Sequence, residues 1–218
     1  MGYIIYFDNE TTGLYPGQIA QMAVIIEDMN THGISAKNYW FSIENMPQEL
    51  VEKFGRDKAF YDRMSYGITF ATYANEIAEL FNNSETIIAH NVTFDSKFLR
   101  TELARVGIIG NWKAESCSMK MFKEVCRLPL KTNKRNNGVP RFKDPRLEEV
   151  VDYYNLDKNK IRVYTEQMFS MPSGIVSFHD AMFDTTAMFI CCMVYREQQL
   201  GNDCWLKTFR DDRKVVEL

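Results

Sequence analysis

Tyr3-Ile4-Ile5-Tyr6-Phe7 runs straight into Asp8-Asn9-Glu10-Thr11-Thr12-Gly13-Leu14. Five consecutive apolar residues, rich in β-formers, predict a strand over 3–7 that is buried on both faces. Asp8 and Glu10 follow where that strand ends. Residues two apart on extended chain share a face, so the two carboxylates project side by side from a central strand. Left unpaired, they repel each other and resist ionisation. A divalent cation removes that penalty, and all-oxygen ligands suit Mg2+ or Mn2+. Two solvated acids at a strand-to-loop junction would carry the same pattern, so the pair alone does not decide between them.

Working outward, residues 19–27 and 38–43 read as second and third strands. Asn30-Thr31-His32-Gly33 between them supplies turn chemistry. The three strands form an antiparallel meander. Residues 47–54 predict a short helix with a proline near its start. Residues 69–82 carry apolar side chains at helical spacing. A buried strand is expected over 86–89, and a helix over 93–106 that stops at Gly107. Further helices are expected over 119–126, over 146–154 after Pro145, and over 180–198. The last is apolar nearly all round at 187–195, which predicts burial. Strands first, then helices alternating with a strand, indicate an α/β protein with helices packed on a mixed sheet.

The composition agrees with a folded enzyme-sized domain. The chain has 218 residues, 45% hydrophobic and 25% charged, which excludes disordered, collagen-like and disulfide-scaffold classes. One domain over 1–200 and a charged tail over 201–218 are expected. No apolar run approaches the ~20 residues of a membrane span. The start reads as carrying no secretory leader, and Tyr6 breaks the myristoylation pattern. Five cysteines without a C-x-x-C pair read as reduced thiols, so a cytoplasmic protein without structural zinc is expected. The net charge of −3 hides an asymmetry: residues 127–146 hold seven basic residues and one acid, leaving the rest of the chain at −9. Such a segment binds a polyanion or is a solvated loop, and charge alone leaves both readings open.

Two more acidic clusters sit at predicted element ends. His90-Asn91-Val92-Thr93-Phe94-Asp95 follows the fourth strand and opens a helix. That is where open α/β sheets place ligands, although Asp95 there would also favour the helix dipole. His179-Asp180-Ala181-Met182-Phe183-Asp184 opens the last helix, with the two aspartates on one face. Asp184 lies close to the apolar part of the helix, where an acid is costly without a counter-ion. Four carboxylates and a histidine could thus hold two cations a few ångströms apart, the arrangement that serves phosphoryl transfer. The histidine could deprotonate the attacking water.

These three segments, in this order, resemble the three motifs of the DnaQ-like (DEDDh) 3′→5′ exonuclease family. That family includes the epsilon proofreading subunit of bacterial DNA polymerase III, RNase T and oligoribonuclease. The resemblance spans residues 7–184. It implies an RNase H-like mixed five-stranded sheet and hydrolysis from the 3′ end of single-stranded nucleic acid, releasing nucleoside 5′-monophosphates. DNA is the favoured substrate and RNA the alternative. A catalytically silent nucleic-acid-binding module is disfavoured by the complete acid set. Carried over by motif, Asp8 would bridge two Mg2+ or Mn2+ ions. Glu10 and Asp184 would complete the site of the ion that binds the attacking water, and Asp95 would hold the second. His179 would be the general base. Thr11, Thr12 and Leu14 would lie beside the terminal nucleotide, with Asn91 and Phe94 supporting the site. Asn9 departs from the usual threonine and is expected to face away from the metals. A DNA polymerase or another replication or repair protein is the implied partner class.

Overall fold

A computed structural model describes residues 2–13, 17–130, 141–172 and 180–200. Strand β1 (Tyr3–Thr11) pairs antiparallel with β2 (Ile19–Asp28), which pairs antiparallel with β3 (Ile34–Trp40). Helices α1 (Gln48–Phe54), α2 (Lys58–Ser65) and α3 (Phe70–Asn82) cross to β4 (Thr86–Ala89), which lies parallel to β1. Helix α4 (Val92–Arg105) leads to β5 (Glu115–Cys117), parallel to β4. Helices α5 (Ser118–Cys126), α6 (Leu147–Tyr153), α7 (Lys158–Met168) and α8 (Ala181–Leu200) follow. The sheet order is β3-β2-β1-β4-β5. This is the mixed five-stranded sheet expected from the resemblance.

Alternation along β1 and β2 builds two cores. Ile5, Phe7, Met22 and Val24 face α3 and α4. Tyr6, Ala23 and Ile25 face α8, with α6 and α7 packed behind it. Phe7 meets Phe81 edge-on at 5.0 Å, and Tyr6 meets Phe189 at 4.9 Å. Every residue from Ala187 to Val194 is buried, as the unbroken apolar run requires. One buried polar knot ties α8 to the sheet. Tyr6 donates to Glu27 at 2.9 Å, and Arg196 donates to both Glu27 oxygens at 2.8 and 2.9 Å.

Three details differ from the sequence reading. Strand β1 does not end at Phe7: Asp8 and Glu10 stay in the ladder opposite Ala23 and Gln21, and the register slips only between Glu10 and Thr11. Strand β3 covers 34–40 rather than 38–43. Phe41 and Ile43 are apolar because they pack into cores beyond the last paired residue. Helices α2 and α7 and strand β5 were not expected from the residue pattern. Among the described residues no helix is long and apolar enough to cross a membrane.

Candidate active site

The parallel pairing of β1 and β4 puts both of their C-terminal ends at one edge of the sheet, the end where such folds bind ligands. Asp8 and Glu10 leave β1 on the face covered by α8, the same face as Tyr6. The first turn of α8 brings Asp184 to them. One carboxylate oxygen from each of Asp8, Glu10 and Asp184 lies within 4.8 Å of the others. All three residues are partly buried.

Asp95 comes from the first turn of α4, directly beyond the end of β4, and is buried. It stands outside the close three-acid group but within electrostatic reach of Asp8 and Glu10. Asn91, just before α4, sits at φ 107° and ψ 52°. Asparagine tolerates this left-handed backbone better than most residues. The sharp corner it makes starts the helix that carries Asp95. Phe94 packs on Phe98 at 4.8 Å. Asn9 does face the opposite side from the acids, where its side chain donates to the Asp95 carbonyl at 3.3 Å and ties α4 to β1.

The electrostatics follow from this crowding. Burial first, and the Asp180 charge second, push the Asp8 carboxyl up to about 7. Burial and then Asp8 push Glu10 up to about 8, against an opposing pull from Arg56. Burial and Asp8 hold Asp95 and Asp184 well above the ordinary carboxylate range. Four acids that each resist ionisation together form a site short of positive charge. Hard divalent cations fit that donor set, since carboxylate oxygens are their preferred ligands and their charge reverses the repulsion.

The other expected residues divide. Thr11 donates to the Gly13 carbonyl at 3.0 Å, and the Thr12 hydroxyl accepts from the Gln18 amide at 2.9 Å. Both hydroxyls thus shape the turn after β1, where Gly13 takes φ +128°. Leu14 and His179 lie outside the described residues, as do 131–140 of the basic segment and the tail 201–218.

The two ends of that basic segment are pinned. Pro129 bridges Phe142, and the Lys143 amide donates to the Leu128 carbonyl at 3.0 Å. Lys123 pairs with Asp144 at 2.9 Å, and Lys143 pairs with Glu149. Tyr154 packs in the core beside α8, whereas Tyr153 is half exposed.

The sequence reading gave His90 and Asp180 no role in the site, and Arg56 did not figure in it at all. His90 is half-buried between two partners 3.0 Å away, Ser118 Oγ at Nδ1 and the Pro145 carbonyl at Nε2. The carbonyl can only accept, so Nε2 carries the proton. Burial lowers the imidazole's pKa, in keeping with a neutral ring. Asp180 caps α8 by accepting from the Met182 amide at 3.0 Å. Arg56, in the α1–α2 connection, reaches Asp180 at 3.0 Å.

No family model and no curated protein matches the sequence. Solved structures match its fold. An exonuclease I in an ExoI/SSB-Ct complex aligns at a TM-score of 0.64 and 18% identity, over 91% of this chain and 42% of that one. An apo exonuclease I aligns at 0.63 and 19%, over 90% and 42%. A third exonuclease I, described as suggesting how processivity is achieved, aligns at 0.63 and 20%, over 91% and 41%. The chain spans about two fifths of the length of these neighbours. Across nearly its whole length, therefore, it has the RNase H-like α/β fold found in exonuclease I.

Proposed function

We propose that this chain is a metal-dependent 3′→5′ exonuclease that removes nucleoside 5′-monophosphates from single-stranded DNA. The observation that carries this reading is the meeting of Asp8, Glu10 and Asp184 within 4.8 Å at the ligand-binding end of the sheet. The exonuclease I likeness in fold supports it. The domain would be residues 1–200, with 201–218 as an appended tail.

Bound between these acids, Mg2+ or Mn2+ would polarise the phosphodiester and stabilise charge on the attacking and leaving oxygens. Asp8 would be shared by two ions, Glu10 and Asp184 would complete one site, and Asp95 would serve the other. His179 would take the proton from the attacking water at an imidazole nitrogen. Thr11, Thr12 and Leu14 would border the terminal nucleotide, backed by Asn91 and Phe94. The basic segment 127–146 would guide the strand through phosphate contacts. Partner proteins from replication or repair belong to the same proposal.

The test is digestion of single-stranded DNA labelled at either end, with a matched RNA oligomer alongside. The 5′-labelled strand should shorten in single-nucleotide steps in Mg2+ or Mn2+ and stay intact with chelator. Asp184→Asn should lower the rate at least ~100-fold, the scale of losing a group that stabilises the transition state. Internal cutting would overturn the exonuclease reading, and loss from the 5′ end would overturn its 3′→5′ direction. Faster loss of the RNA would overturn the choice of DNA.

A further inference from the structure

Asp180 is not one of the acids assigned to hold metal, yet it is the most heavily partnered carboxylate beside them. Its side chain is 4% exposed. Oδ1 accepts from the Met182 amide at 3.0 Å and from Gln21 Nε2 at 3.1 Å. Oδ2 accepts from Arg56 Nη2 at 3.0 Å. Gln21 sits on β2 directly opposite Glu10. Arg56 lies in the α1–α2 connection, between the left-handed Gly55 that ends α1 and the Asp57 that caps α2. Its side chain is 15% exposed. The guanidinium lies 5.9 Å from the Trp40 ring and 5.4 Å from the Phe60 ring, and it donates a hydrogen bond to the Tyr61 hydroxyl. Such a clamp fixes a planar cation at a chosen place.

We propose that Arg56 sets the charge of the acid site: seated on Asp180, it places a permanent positive charge beside Glu10 and Asp184 that opposes an arriving cation. This rests on the reading of the acids as a metal site. Three elements far apart in sequence meet at Asp180: α8 by its cap, β2 through Gln21, and the α1–α2 connection through Arg56. Asp184 lies one helical turn beyond Asp180 on the same face of the chain, so a start held from three sides also holds Asp184 against Asp8 and Glu10. The charge acts at the same place. Arg56 opposes the repulsion at both Glu10 and Asp184, and Lys53 adds to it at Glu10. Arg56 and Asp180 therefore set the field that an arriving cation meets, with opposite signs.

A scaffold role and a charge role give different results for Mn2+ binding. Calorimetric titration of the full chain with Mn2+ alone would compare wild type, Arg56→Gln, Asp180→Asn and the double variant. Removing the arginine charge should tighten Mn2+ binding, and removing the aspartate charge should weaken it. Each shift should be roughly five-fold, the scale of one unit charge acting across a partly screened site. The double variant should return near wild-type affinity. Arg56→Lys, which keeps the charge without the fork, should bind Mn2+ as wild type does.

Arg56→Gln alone leaves a buried carboxylate without its ion partner and should lower the melting temperature by about 6–12 °C. The double variant, which leaves no such charge, should recover most of that loss. It keeps the test valid should the single variant not fold. Weaker Mn2+ binding in both single variants would overturn the proposal and leave the metal site standing. Absence of Mn2+ binding in the wild type would overturn the metal site and this proposal with it.

Discussion

Neutralising one acid of the cluster should make the metal-free protein more stable, by an amount that depends on pH. Asp8 is the acid to change, because its charge raises Glu10, Asp95 and Asp184 alike. Its own carboxyl stands at about 7 against an ordinary 3.8. The unfolded chain has released this proton above about pH 4, while the folded metal-free chain keeps it to about pH 7. Between those values the folded state binds more protons than the unfolded one. Stability from this group is therefore fully present below about pH 4 and falls as pH rises through 7. Glu10 extends the fall to about pH 8.

The linkage for Asp8 alone corresponds to about 4 kcal/mol at most. Partial solvent access to the side chain reduces that, to about 2–3 kcal/mol. For a chain of this size it is roughly 4–10 °C in melting temperature. Asp8→Asn should raise the melting temperature by that much at pH 8 in chelator and by roughly a third as much at pH 5. Millimolar Mg2+ should stabilise wild type at pH 8 by mass action and leave the variant almost unmoved. Thermal melts across pH 5–8, with and without Mg2+, measure both effects. A wild-type melting temperature that stays flat from pH 5 to 8 in chelator, or an Asp8→Asn variant that melts lower at pH 8, would refute the reasoning.

Two further expectations concern the surroundings of the site. His90→Phe removes both hydrogen bonds of the ring and leaves the Pro145 carbonyl without its donor. The cost should be about 2–3 kcal/mol in urea unfolding, whereas an unchanged midpoint would show that the ring only fills space. In the basic segment, Arg127 and Arg141 are exposed, while Lys143 is paired to Glu149. Neutralising both arginines should flatten the salt dependence of single-stranded DNA binding by about 0.7 per lost phosphate contact. The Lys143→Gln variant should mainly lower stability. An unchanged slope in the arginine variant would return the segment to a solvated surface.

The residues that announced the fold were those whose burial repeats with a fixed period. The apolar start of β1, the 3.6-residue spacing of Phe70, Ala74, Ile77 and Phe81 in α3, and the unbroken apolar run of α8 all lie where their pattern places them. The pattern failed where tertiary contacts, not local spacing, made the element. Strand β5 is three residues, Glu115–Cys117, and is a strand only because β4 lies beside it. Helix α7 reads as charged chain, Lys158–Met168, and its apolar contacts are spread thinly at Ile161 and Tyr164.

The site shows the same division. The meeting of Asp8, Glu10 and Asp184 was legible because Asp184 is costly beside an apolar helix and because three acidic segments, each at an element end, occur in one order along the chain. Arg56 was not legible. It sits in an ordinary polar connection, and its partner Asp180 is 124 residues away. No local spacing encodes such a pairing.

The central claim is that three separate stretches of chain assemble one pocket for divalent cations. Anomalous diffraction from crystals of the protein grown with Mn2+ tests it most directly. Manganese peaks should lie against the carboxylates of Asp8, Glu10 and Asp184, with a second ion shared by Asp8 toward Asp95. Manganese bound only elsewhere, with these acids empty in a protein that still shortens DNA, would contradict the account.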